Sequence, residues 1–361
     1  MTNVLSAFSG YAAVIPVVCV WLGGVAAMLA EAFRAPDERM PIGGLGMIGV
    51  GASMIASLLL WDRGAQSSGV ILADNFGLFV TLVLGLVGIL TIALSEQIVK
   101  RDGIPAGDYY ALLLFSLGGM MLMAVANDLL IIFLALEILS LAIYVLTAIR
   151  RDLKFSTEAA FKYFLLGGFA SAFFLYGIAF AFGVAGSTRL DHIVIVMSGR
   201  TAGQELLTYL ALGLLLVGFG FKISAMPFHM WTPDAYEGAP PVVTAFMSAG
   251  VKAAAFAAFV RVFMSAFGGL QAQWAPVLWV LSAASMMGPV AMALGWLFSL
   301  EAIGPAMLSV GHAPSRPKPA AFAAGWVRGM MAPVNRPPVA IDPVPVAGHL
   351  ALATPPRQYG L

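Results

Sequence analysis

The chain has 361 residues, 60% of them hydrophobic and 10% charged, with a net charge of +1 and a mean hydropathy of +0.92. A water-soluble domain carries roughly 25% charged residues, so a single globule in water is excluded and the bilayer is the expected solvent. The charge balance leaves no basic excess for a nucleic-acid partner, and a single cysteine, Cys19, excludes an internal disulfide framework and a cysteine-ligated metal site.

Runs of about 20 apolar residues mark spanning helices. Nine are expected, at about 11–31, 42–61, 75–98, 109–126, 128–149, 158–184, 204–228, 240–264 and 275–299, giving an all-α polytopic bundle. The N-terminus lacks the basic start and short apolar core of a cleavable signal, so the first run is expected to stay as a span. Ala126-Asn127-Asp128 is so short that the fourth and fifth helices form a tight hairpin, with Asn127 or Asp128 capping the fifth. Arg34, Arg39, Lys100, Arg101, Arg150, Arg151 and Lys154 fall in loops on one side, against Arg63, Arg189 and Arg200 on the other. The positive-inside rule puts the first set in the cytoplasm and the N-terminus outside. From Pro305 to Pro356 proline recurs every few residues and no apolar run reaches spanning length, so 301–361 is expected to be an extended, disordered tail.

Four ionisable residues lie inside otherwise apolar spans: Glu137, Lys162, Lys222 and Lys252. A charge at the bilayer centre costs about 2.5–3.5 kcal/mol on insertion scales, so such residues are expected to face the bundle interior and pair. One glutamate with several lysines suits a proton relay, in which a lysine that gains or loses its glutamate partner switches between holding and releasing a proton. The plainer readings are snorkelling for Lys162, a structural ion pair for Glu137 with Lys222, and an interfacial anchor for Arg261.

The seventh span continues from Lys222 through Ser224, Pro227 and His229 to Trp231-Thr232-Pro233-Asp234. Pro227 and Pro233 each remove a backbone donor and clash one turn back, so the helix either breaks inside the membrane or ends at Pro227 with a loop after it. Broken helices with embedded charges recur in ion-moving proteins. His229 is either a proton-passing group or an interfacial histidine. Gly118-Gly119, Gly167-Gly168, Gly218 and Gly220 fit close helix packing and form no phosphate loop. Neither metal-spaced ligands nor a Ser-His-Asp set is present in the sequence.

The stretch 221–263, FKISAMPFHMWTPDAYEGAPPVVTAFMSAGVKAAAFAAFVRVF, resembles the antiporter-like membrane subunits of respiratory complex I, the NADH–quinone oxidoreductase, and 159–183 and 134–146 agree with it. WTPDAYEGAP is most similar to the subunit N branch, since Tyr236 and Glu237 stand where the related L and M subunits show a histidine–glutamate pair. The resemblance covers roughly 1–300. It implies three N-terminal helices in 1–107, an antiporter-like five-helix repeat in 108–266 with a broken seventh helix, and a ninth span in 267–300. It implies that Glu137 and Lys222 form a switching pair, that Lys252 continues a hydrophilic axis, and that Lys162 lies close to the pair. It further implies proton translocation coupled to quinone reduction elsewhere in the assembly, with other complex I membrane subunits, lipid and protons as partners. Quinone, NAD, flavin and iron–sulfur clusters are expected in other subunits and not in this chain. The chain departs from the pattern after about residue 300, where the second repeat and its lysine are missing, so a truncated or frameshifted reading frame is expected. A stand-alone cation/proton antiporter subunit and an inert structural product are the rival readings.

Overall fold

The computed structural model describes residues 11–34, 41–198 and 202–287, and these form a helical bundle with eight helices long and apolar enough to cross a membrane. The tail, the end of the ninth span, Arg39 and Arg200 lie outside the described residues.

Helix α1 (Ile15–Ala32) carries Pro16 in its first turn, where no backbone donor is lost, and pairs with α2 (Ile42–Leu60). Their crossing depends on glycine: a Cβ on Gly49 would lie 2.9 Å from the Gly23 Cα and 3.0 Å from the Cys19 carbonyl oxygen. A two-residue hairpin, β1 (Gln66–Ser67) with β2 (Leu72–Ala73), then leads into α3 (Asn75–Arg101). Asp74 caps α3 by accepting from the Gly77 N–H at 2.9 Å, and Lys100 and Arg101 suit the negative end of its dipole.

Helix α4 (Ala106–Val125) is the hub, with most of its length buried among α1, α3 and α5 (Leu129–Thr147). A Cβ on Gly119 would meet the Leu139 backbone nitrogen at 2.9 Å, which sets how closely α4 and α5 approach. The expected hairpin is present, and Asp128 is its cap, accepting from the Leu130 N–H at 2.8 Å. The long α6 (Lys154–Ala185) stops at Gly186, whose φ of 68° takes the left-handed conformation that glycine allows.

Two elements depart from the expected loops. The hairpin at 66–73 is too short to show in an apolar pattern. Residues 185–203, expected to be a connection, contain α7 (Leu190–Ser198), which turns Leu190, Ile193 and Met197 inward at helical spacing. One end of the bundle is thereby knitted together. The Asn127 N–H donates to the Val70 carbonyl, the Leu190 N–H to the Asn127 carbonyl, and the Thr188 hydroxyl to Asp128 at 2.7 Å.

The seventh span is α8 (Glu205–Ile223), a connector, and α9 (Trp231–Gly238); the eighth is α10 (Pro241–Ala266), and a further helix runs over 271–287. Within α10, Met247–Val251 and Val262–Ala266 are wound as π-helix on either side of the α-helical Lys252–Arg261. Arg261 is buried and paired. It is 6% exposed and forks onto Asp74 at 2.6 and 3.2 Å, while its Nε–H donates to the Ala124 carbonyl at 3.1 Å. The turn that carries it packs against the start of α3 and the end of α4, where a carboxylate and a free helix-end carbonyl are both in reach.

Candidate functional site

The sequence GFGFKISAMPF folds as an interrupted helix, and the interruption comes before the proline. Ser224 adopts φ 61°, ψ 39° and ends α8, so Lys222 stands in its last turn. The backbone groups freed there are met by protein. The Phe221 carbonyl accepts from the Ser224 N–H and from the Trp231 indole at 3.0 Å. The Met226 N–H donates to the Ser285 hydroxyl at 2.9 Å, and the Thr232 hydroxyl donates to that of Ser224. Irregular backbone at membrane depth survives only when satisfied in this way. The Trp231-Thr232-Pro233-Asp234 segment is helical, which corrects the reading of it as a loop. Pro233 does not break α9, because as its third residue it occupies the first turn, where its missing N–H has no intrahelical role.

Lys222 is 2% exposed, and its ammonium donates to the Ser140 hydroxyl at 2.7 Å. Ser140 in turn donates to the Leu136 carbonyl. The rings of Tyr144 and Phe221 lie 5.8 Å from the Lys222 nitrogen. Glu137 sits on the same stripe of α5 as Ser140 and Tyr144, since positions three and four apart share a helix face. Its carboxylate accepts from the Ser171 hydroxyl of α6. Among the described residues no Glu137–Lys222 ion pair closer than 4.0 Å is formed. Ser140, three residues along α5 from Glu137, accepts the hydrogen bond of the Lys222 ammonium instead.

From Lys222 an unbroken file of aromatic rings leads to Lys252. Tyr144 meets Tyr163 edge-on at 4.7 Å, and Gly167 leaves room for the Tyr144 hydroxyl. Tyr163 stacks on Trp231 at 4.3 Å, Trp231 meets Tyr236 edge-on at 6.1 Å, and the Lys252 nitrogen stands 5.6 Å over the Tyr236 ring. Lys252 follows directly on the π-wound Met247–Val251, a departure from α-helical winding that is frequent at functional sites.

Lys162 pairs with none of the other three. It is exposed, and it bridges Glu158 at 2.8 Å and Asp234 at 3.3 Å, tying α6 to α9. His229 lies in the connector with a buried, unpartnered Nδ1. Pro227 follows a cis peptide in the same connector. Sequence reasoning passed over Ser140, Tyr144, Tyr163, Trp231, Tyr236 and Asp234 as site residues. For Ser140 and Tyr144 the signal was their spacing from Glu137; Trp231, Asp234 and Tyr236 stood in a segment already singled out, but that they meet Tyr163 of α6 was not available in one dimension.

Residues 126–295 match the family model described as "NADH:quinone oxidoreductase/Mrp antiporter, TM". The NADH-quinone oxidoreductase subunit N of Trichlorobacter lovleyi is 40% identical over 274 residues, covering 76% of this chain and 56% of that protein. Its counterpart from Chloroflexus aggregans is 40% identical over 278 residues, covering 75% and 56%. The chain thus spans about half the length of the curated relatives it matches. Among solved structures, a chain of respiratory complex I from Thermus thermophilus superposes with a TM-score of 0.59 at 37% identity, over 68% of this chain and 53% of that one. A chain of the Mrp complex from Dietzia sp. shares the fold, with a TM-score of 0.66 at 22% identity over 80% and 54%.

Proposed function

We propose that the chain, which matches the NADH:quinone oxidoreductase/Mrp antiporter family model over residues 126–295 and is 40% identical to subunit N proteins, acts as an antiporter-like membrane-arm subunit of a proton-pumping NADH:quinone oxidoreductase. In this reading it is the subunit N component, set among other membrane subunits of the assembly, with the redox centres and the quinone and NAD sites in its partners. Residues 108–266 supply the first antiporter-like repeat. The ends carrying Arg34, Lys100, Arg101, Arg150, Arg151 and Lys154 face the cytoplasm, and the N-terminus faces outward across the inner membrane.

The observation that carries the proposal is the setting of Lys222, a buried amine at a helix break whose hydrogen-bond partner is a hydroxyl. A serine hydroxyl both accepts and donates, so Ser140 can serve the ammonium and the neutral amine alike by rotating. That allows Lys222 to gain and lose a proton without leaving a buried group unpaired. Glu137, one turn away on α5, supplies the charge that biases the two states, and Lys252 is the next acceptor beyond the aromatic file. Lys162, locked between two carboxylates on an exposed face, serves to hold α9 against α6. A second reading, a cation/proton antiporter subunit, is supported by the family description itself; the 40% identity to subunit N proteins favours the first.

The test is quinone-dependent proton pumping by membranes whose assembly carries the chain, compared with Glu137→Gln and Lys222→Ala. Loss of pumping in both variants with the assembly intact is expected. Unchanged pumping would refute the relay, and sodium-coupled exchange in place of it would favour the antiporter reading.

A further inference from the structure

Helix α9 has eight residues, too few to hold its shape alone, so its place depends on what pins it. Three contacts seat it on α6. A Cβ on Gly238 would lie 2.3 Å from that of Ala159, Asp234 pairs with Lys162 at 3.3 Å, and the Trp231 indole lies on Tyr163 at 4.3 Å with 7° between the ring planes. Trp231, Asp234 and Gly238 stand three and four apart and so share one helix face. The same tryptophan, 2% exposed, also reaches the broken end of α8, where its indole N–H donates to the Phe221 carbonyl at 3.0 Å. That carbonyl belongs to the peptide unit joining Phe221 to Lys222. The unit is planar, so fixing its oxygen fixes the Lys222 backbone nitrogen and the direction in which the lysine side chain leaves. On the far side the Lys222 ammonium has to meet the Ser140 hydroxyl of α5 at 2.7 Å, a contact that a tilt of the last turn of α8 would open.

Resting on the relay reading above, we infer that Trp231 is a positioning residue for Lys222, and that the Lys162–Asp234 pair acts on the relay through Trp231, by keeping α9 seated on α6. Lys162 carries no proton in this arrangement, and its charge stays in place as one half of a clamp. Both members of the pair are about half exposed, and such pairs add little to stability, so losing the pair shifts α9 while the bundle stands. Thr232 adds a second tie, its hydroxyl donating to that of Ser224 at 2.9 Å, so the first turn of α9 grips the break at two residues.

The experiment uses the full assembly in its own membranes and reads the rate of quinone-dependent proton pumping per assembled complex. Benzothienylalanine at 231 keeps the two fused rings and lacks the N–H, and it is expected to slow pumping several-fold, with Trp231→Phe slowing it at least as much. Lys162→Gln and Asp234→Asn are each expected to slow it by a smaller factor, and the double variant by no more than the worse single one, since both break the same tie. Lys162→Arg is expected to restore what Lys162→Gln loses, because arginine keeps the pair and cannot be deprotonated. Normal pumping with benzothienylalanine at 231, with pumping lost in Lys222→Ala, would overturn the inference and leave the relay standing. A loss in Lys162→Arg equal to that in Lys162→Gln would also overturn it, by making Lys162 a proton carrier. Normal pumping in Lys222→Ala would remove the relay and the inference together. If neither ring variant assembles, the exposed pair decides: normal pumping in Asp234→Asn overturns the inference.

Discussion

The Arg261–Asp74 clasp gives an ordered prediction, because its two partners differ in burial. The arginine side chain is 5% exposed and the aspartate 31%, so the cation depends on the pair more than the anion does. Breaking a buried pair from one side costs about 3–5 kcal/mol, since it strands the other charge. Asp74→Asn keeps the one oxygen that serves both the Gly77 cap and Arg261 Nη2, but it removes the countercharge and the acceptor of Nη1, so the buried cation is left with neutral partners only, that oxygen, the Ala124 carbonyl and the Phe76 face. Its cost should sit in the range of about 3–5 kcal/mol. Arg261→Met strands a carboxylate that water partly reaches, and the expected cost is about half as large. The double variant removes both charges and should recover at least about 1 kcal/mol over Asp74→Asn alone, a coupling of the size contacting residues show. The assay is the denaturation midpoint of the purified chain in mild detergent titrated with SDS, followed by helicity. The reasoning is refuted if Arg261→Met is the more damaging single variant, or if the double variant is no better than Asp74→Asn.

Two further outcomes follow from the packing and from the charges at the same end of the bundle. Gly49→Ala sets a Cβ against backbone atoms of α1 at 2.9 and 3.0 Å, which no rotamer can relieve, so it should destabilise by about 1–3 kcal/mol in the same titration, whereas Gly51→Ala, with open space around it, should be near neutral. Asp191 is held below the ordinary aspartate range chiefly by its hydrogen bond to Arg189, so its contribution is present at neutral pH and is lost as pH falls through the lowered value. Amide protection in the segment 187–198, with exchange rates corrected for their intrinsic pH dependence, should therefore be flat from about pH 8 down to about 5 and fall only below about pH 4; loosening already near pH 6 would contradict the assignment.

The spans were legible because burial in lipid demands long apolar runs, and that demand is written locally. The starts of α3 and α5 were legible in part for the same reason, as with Asp128, whose cap acts on the next three residues. The intramembrane charges announced the site, since Glu137, Lys222 and Lys252 stand out against an apolar background. The break beside Lys222 was signalled by Pro227, although the chain turns at Ser224, three residues earlier, where the left-handed backbone of an ordinary residue leaves no mark in sequence.

What the sequence by itself determined is therefore the apolar character of the chain, the place of the eight long helices among the described residues, and which residues carry charge within them, because each follows from neighbours along the chain. Only the tertiary structure decided the partners. Lys222 found Ser140 in place of Glu137, Lys162 found Asp234 across to α9, and Arg261 found Asp74, 187 positions away. The aromatic file from Tyr144 to Tyr236 likewise draws on α5, α6 and α9, which come together only when the bundle packs. The physical reason is that a charge's cost of burial is a property of one residue, whereas the hydrogen bond or ring that offsets it depends on helix rotation and depth, which packing of the whole bundle sets.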